Sequence, residues 1–198
     1  MAKARDVSPE DAVVDLVVED DAGATAAYFV ISEDNIRREI ALPWVASGSD
    51  AESSAPEGAF LLSSTHPRAY GNFARIFARY VRAEHLLTVE EAVRRLTSLP
   101  ADDLSLVDRG RLRTGAFADI VIFDPDAFQD HSTYENPMQF ATGVEQVFVN
   151  GKLALKDGEP TGAATGRAVR GRALTGAEGG GCRASSKDWT WIDQPPAN

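Results

Sequence analysis

The sequence is poor in metal-binding side chains, with a single cysteine, Cys182, and three histidines among 198 residues. One cysteine excludes an internal disulfide and any thiolate metal cluster built from this chain. A metal would therefore depend on histidine and carboxylate ligands, yet His66, His85 and His131 form no His-x-His or His-x₃-His pair. Long apolar runs are also missing. Nothing approaches the ~18 residues of a membrane span, and Met1-Ala-Lys-Ala-Arg-Asp leads into charged residues rather than the apolar core of a signal peptide. The expectation is a cytoplasmic protein without membrane contact. Basic charge is short as well: 20 basic against 30 acidic side chains leave a formal charge of −10. Such a surface repels phosphate backbones and anionic lipid, so nucleic acid is not an expected partner. From Thr165 onward the balance reverses, with five basic and three acidic residues. The chain is also too short for a complete (β/α)₈ barrel of ~250 residues.

What is present reads as alternating elements. Ser8-Pro9-Glu10-Asp11 supplies a capping serine, a proline for the first helical position and acids for the first turn, ahead of Ala12, Val13, Leu16 and Val17 at helical spacing. Ala26–Ile31 is a nearly continuous apolar run suited to a strand covered on both faces, Ser32 caps a short helix stopped by Pro43, and Trp44–Ser47 is a second short strand candidate. Helix, strand, helix, strand with short connections is the order of parallel α/β units. Residues 51–71 have no period and form a loop long enough to be functional. From Asn72, the spacing of Phe73, Ile76, Phe77, Tyr80 and Val81 predicts an amphipathic helix, and Thr88-x-x-Glu91 a capping box for another ended by Pro100. Tyr28, Phe29, Phe73, Phe77 and Tyr80 are expected in the core. Arg75, Arg79, Arg82, Arg94 and Arg95 are expected on solvated helix faces, and His85 at a helix end. Beyond Gly110 the texture turns to β: Ile120–Phe123 is a strand-like run, and Asn150-Gly151 between two apolar runs is a strong hairpin signal. From Thr161 the chain is rich in Gly and Ala, with Gly179-Gly180-Gly181 and Trp189-Thr-Trp191, and is expected to be disordered.

Two places could carry chemistry. Asp50 falls just past a strand candidate, at the carboxyl end where sheets and barrels of this class gather catalytic groups, and a carboxylate there can take up and return a proton. The same position equally suits a residue that satisfies a turn or caps a helix. His66-Pro67-Arg68 lies in the long loop nearby: Arg68 could grip a carboxylate with its planar fork and His66 could bond a polarised oxygen, or the segment is simply a solvated helix entry. A triad of Ser63 or Ser64 with His66 and Asp50 is available on paper. Serine and histidine so close on one loop rarely reach attack geometry, and no Gly-x-Ser-x-Gly elbow is present. His131 has no partner in the sequence.

The strings WVASGSDA, SSTHPRAYGNFARI, EEAVRRLTSLPA, DRGRLRTGAFADIVIFDP and VFVNGK together resemble the C-terminal part of N-acyl-D-amino-acid deacylases (D-aminoacylases) of the amidohydrolase superfamily. The resemblance spans roughly residues 5–171. It implies an α/β chain made of the last strand-helix units of a metal-dependent (β/α)₈ barrel over 1–109, strands of a small β-sandwich over 110–164, and a flexible tail over 165–198. It implies a hydrolase that cleaves the amide of N-acyl-D-amino acids with metal-activated water. By the same comparison Asp50 matches the metal-facing proton shuttle, making it both catalytic and a metal ligand, while His66 and Arg68 match the loop at the acyl-amino-acid pocket. Zinc is implied for the complete enzyme but not as a tight ligand of this chain alone, because the His-x-His strand and the remaining ligands of the family have no counterpart here. Those would come from an N-terminal half, if on a separate chain; self-association is the other partner expectation. A non-catalytic binding or assembly module is the alternative reading.

Overall fold

The computed structural model describes residues 1–21, 23, 28–52, 54–62 and 64–169. Cys182, the triple glycine and the Trp-Thr-Trp of the tail lie outside the described residues, as does Ser63. Two helices open the chain, α1 (Ala2–Arg5) and α2 (Pro9–Glu19). Ser8 caps α2 by accepting the Asp11 amide at 3.0 Å, and Arg5 ties the two helices together with a two-pronged grip on Glu19 at 2.7 and 2.8 Å. Of α2, only Ala12 is buried.

Of the two strands expected at 26–31 and 44–47, the described residues 28–31 and 44–47 form neither. Residues 28–31 and 44–47 have no strand partner, and all sheet pairing among the described residues is antiparallel. Extended backbone becomes a strand only when a neighbour takes its N–H and C=O groups, and no described segment supplies one. The same lack leaves the side chains uncovered: Tyr28 is 81% exposed and Phe29 75%, against the expectation that both are core. Phe73, also expected in the core, is exposed.

The core forms around a long bent helix. Helix α3 (Glu33–Ile40), capped by Ser32, leads through an extended stretch and a 3₁₀ turn at Gly58–Leu62 to α4 (Arg68–Arg75). That helix continues without interruption as a wider π-helical segment, Ile76–Ala83, ending with His85 at φ 52°. Its Ile76, Phe77, Tyr80 and Val81 pack with Ile40, Leu87 and Ala92, the last on α5 (Val89–Leu96), which Thr88 caps. A short α6 (Ser98–Asp103) follows. The 3–4 spacing read in the sequence is thus the buried face of this helix.

The sheet is a four-stranded antiparallel meander in the order β1 (Ile120–Phe123), β2 (Val144–Val149), β3 (Lys152–Lys156), β4 (Glu159–Pro160). Asn150 and Gly151, at φ 51° and 78°, make the two-residue turn between β2 and β3. Their left-handed conformation matches the twist of the flanking strands, which is why Asn-Gly serves there. Phe123 and Phe128 stack around Phe77, with ring centroids 5.1, 5.2 and 5.4 Å apart, and so join sheet to helices. The β1–β2 connection closes at its base: the Asp124 amide donates to the Gly143 carbonyl at 2.9 Å, and Gln129 pairs with Thr142. Gly143 has φ 90°, and a Cβ there would stand 2.5 Å from the Ala127 and Phe128 backbone, so no other residue fits.

The arginines read as solvated surface are mostly rivets. Arg95 is 3% exposed, donating to Glu91 at 2.8 Å and to the Ile40 carbonyl. Arg82 donates to the carbonyls of Pro125 (2.8 Å) and Phe128 (2.7 Å) and to Gln129 Oε1 (2.9 Å), fastening the helix to the β1–β2 connection. Arg37 and Arg79 share Glu84, whose carboxyl their hydrogen bonds hold down to about 2. Guanidinium stems cover apolar surface while the fork reaches several acceptors, and linear patterning does not reveal this use.

Candidate functional site

The start of α4 brings the chemistry-bearing residues together. Asp50 sits in the left-handed region at φ 48°, which aspartate tolerates better than most residues. Its carboxylate is 89% exposed and meets the Arg68 guanidinium at 2.9 Å, while Arg68 Nε donates to the Asp50 carbonyl at 3.0 Å. Arg68 thus grips both the side chain and the backbone of the same residue. One turn further, Asn72 donates to the Gly48 carbonyl at 3.1 Å, so α4 holds the Gly48–Asp50 segment in two places.

His66 stands at the helix entry with both ring nitrogens engaged. Nδ1 accepts the Arg68 amide at 3.1 Å, which leaves Nε2 to carry the proton of the neutral ring. Nε2 lies 3.1 Å from the Tyr134 hydroxyl, and the two rings meet edge to face with centroids 5.2 Å apart. Partial burial, and secondarily the Arg68 charge, lowers the His66 pKa from its ordinary value. A neutral His66 with both nitrogens occupied has none free to activate Ser64, which removes the described part of the paper triad. Behind this layer, Gly71 packs against Asp130 and Ser132, where a Cβ would meet the Asp130 Cβ at 3.1 Å.

Asp50, His66 and Arg68, singled out from the sequence, are therefore brought together. Tyr134 was not anticipated. It reaches the site from the far end of the β1–β2 connection, and no periodicity or spacing links it to His66, sixty-eight residues earlier. His131, which lacked a sequence partner, pairs with Thr142 Oγ1 at 2.9 Å and steadies the same connection.

Residues 11–154 match the model of the amidohydrolase family. The chain belongs to the amidohydrolase family. Three proteins of Alcaligenes xylosoxydans xylosoxydans are similar to this chain. An N-acyl-D-glutamate deacylase is 41% identical over 70% of this chain and 27% of its own length, and an N-acyl-D-aspartate deacylase 37% identical over 72% and 27%. A D-aminoacylase is 36% identical over 74% and 29%. Among solved structures, a D-aminoacylase matches at TM-score 0.65 with 34% identity, covering 72% of this chain and 29% of that one. An N-acyl-D-glutamate deacylase from Bordetella bronchiseptica, complexed with zinc and a phosphonate mimic of the tetrahedral intermediate, matches at 0.58 with 38% identity, over 67% and 27%. These neighbours imply a fold of TIM-barrel type, and the chain spans less than a third of the relatives' length.

Zinc is bound in that Bordetella structure, and a related D-aminoacylase is described by its binuclear metal centre. The described residues of this chain do not compose such a centre. Among them no three His, Cys, Asp or Glu side chains converge, and the Asp50 carboxylate faces a guanidinium. A catalytic zinc needs three protein ligands.

Proposed function

We propose that this chain is the C-terminal portion of a D-aminoacylase-type hydrolase, carrying the acid/base aspartate and the carboxylate-binding loop for cleavage of N-acyl-D-amino acids. The observation that carries this reading is the Asp50–Arg68 pair at 2.9 Å, inside the segment matched to the family. Zinc in the complete enzyme would supply Lewis-acid activation of water; among the described residues Asp50 is the candidate ligand, and the other ligands would have to come from elsewhere. Asp50 moves the proton: its exposed carboxylate accepts one from the attacking water and returns it to the leaving amine. The Arg68 fork matches a carboxylate in two-pronged geometry, and the α-carboxylate of an acyl-amino acid is the group that would displace Asp50 from it. His66, neutral and pinned, holds the Arg68 backbone in place.

Supplying the missing N-terminal portion of a relative and assaying N-acyl-D-amino acid hydrolysis tests this. Asp50→Asn keeps size but cannot carry the proton, and kcat falls about 10²–10⁴-fold. Arg68→Lys keeps charge but loses the fork, so its effect appears first in KM. Near-normal kcat in Asp50→Asn returns this aspartate to a turn-forming role. A second reading, an assembly module, is favoured by the exposed run Tyr28–Ile31 and by Trp44. Large uncovered apolar surface of this kind seeks a partner, either the N-terminal half on another chain or a second copy.

A further inference from the structure

Four consecutive apolar side chains between α2 and α3 have nothing over them. Tyr28, Phe29, Val30 and Ile31 are 74–81% exposed, and no described backbone group takes their N–H or C=O groups. Successive side chains of an extended segment face opposite ways, so the run is apolar on both faces and open along both edges. Helix α2, just before it, also turns an apolar stripe to solvent, formed by Val13, Val14, Val17 and Val18.

These surfaces decide between occupants. A run apolar on both faces suits the middle of a parallel sheet, with a strand along each edge and helices over the faces. A second copy brought up by a two-fold axis supplies one antiparallel neighbour and leaves the other edge open. A barrel of the type implied by the solved relatives sets every strand between two others, and more than two thirds of the relatives' length lies outside the part that this chain matches.

The same run touches the site. The Phe29 ring packs on Tyr134 with centroids 5.0 Å apart, the Tyr134 hydroxyl meets His66 Nε2, and His66 Nδ1 accepts the Arg68 amide. Three contacts thus lead from the uncovered run to the residue paired with Asp50. Pairing into a sheet would fix the pleat of the run, and with it the direction of the Phe29 side chain.

Resting on the reading of this chain as the C-terminal portion of a D-aminoacylase-type enzyme, we propose that Tyr28–Ile31 docks the strand-helix units of an amidohydrolase barrel's N-terminal portion. Phe29 carries that docking through Tyr134 to His66, so the loop holding Arg68 senses whether the partner is in place.

The test co-expresses the full chain with the affinity-tagged N-terminal portion of the N-acyl-D-glutamate deacylase that is 41% identical to it, and measures how much chain is recovered with the tag. Phe29 and Val30 are exposed, so Phe29→Asp and Val30→Asp leave the chain's own packing intact. The native chain should be recovered near one to one, and each aspartate variant at least about tenfold less, because docking would bury a carboxylate without a partner. Phe29→Leu keeps the apolar surface and removes the ring, so it should be captured like the native chain. The ¹⁵N resonances of His66 should shift on capture of the native chain and stay in place for Phe29→Leu. No capture, a tagged portion that stays insoluble with the chain present, or capture that both aspartate variants leave unchanged overturns the docking surface. A native dimer by light scattering that Phe29→Asp renders monomeric assigns the run to a second copy instead. A His66 shift that survives Phe29→Leu overturns the coupling. Capture that the aspartate variants abolish, with no hydrolysis by the native complex, counts against the deacylase reading and not against the docking.

Discussion

Replacing Arg82 by methionine isolates the bond between the helical part and the β1–β2 connection. Methionine keeps most of the apolar stem, so packing changes little and the three donated hydrogen bonds are what is lost. Each hydrogen bond from a charged donor contributes about 1.5–3 kcal/mol in isolation. Arg82 is only partly buried, and water reaches part of the Pro125, Phe128 and Gln129 acceptors once it is gone, so the sum is discounted to about 3 kcal/mol. For a chain of this length that corresponds to a fall in Tm of roughly 10 °C. Chemical denaturation followed by far-ultraviolet and near-ultraviolet circular dichroism measures both the loss and its cooperativity. Arg82→Lys should recover less than half, because one ammonium cannot reach three acceptors spread over two carbonyls and an amide. A loss below about 1 kcal/mol for the methionine variant would refute the view that this side chain fastens the two parts.

Stability should fall with acid below pH 4.5, because Glu84 and Glu91 are each held down to about 2 by paired arginines. Their folded pKa lies below the unfolded one, so the contribution is complete above 4.5 and vanishes as pH falls toward 2; a denaturation series in which Glu84→Gln leaves that slope unchanged contradicts the pairing. His66, also lowered, adds a loss in the same direction as pH drops below its ordinary range. Tyr134→Phe keeps the edge-to-face ring contact and deletes the hydroxyl, so the ¹⁵N resonance of His66 Nε2 should move while Nδ1 keeps the signature of an acceptor; unchanged resonances would place Tyr134 outside the site. Elemental analysis of the purified chain should find zinc well below one equivalent, and a stoichiometric metal that survives dialysis would show a centre that the described residues do not form.

Legibility followed the range of the interactions. Ser8, Ser32 and Thr88 cap helices by bonds to residues three positions away, and each was readable from its neighbours. Asn150-Gly151 turned the chain where its dipeptide chemistry required. Asp50, His66 and Arg68 were found because they lie within one loop and its helix entry, and their grouping needed only that the loop fold back. The apolar runs at 28–31 and 44–47 misled for the opposite reason. Their composition encodes strands, but a strand is a property of two segments, and pattern along one cannot reveal that no neighbour is described. Arg82 and Arg95 were misread because each also reaches distant main-chain carbonyls, which leave no mark on residue type. Tyr134 failed on distance alone.

The pinched base of the β1–β2 connection has a consequence for how this protein can change. Gly143 and Asp124 are locked backbone to backbone, with Gln129 and Thr142 bridged just inside, so the ladder between Ile120 and Lys156 is insulated from whatever the tip carries. The tip bears Tyr134, whose hydroxyl meets the His66 ring. It therefore behaves as an exchangeable cassette. Exchanging residues 132–139 for those of a relative while keeping Gly143 at the neck is expected to leave the sheet beneath folded as before.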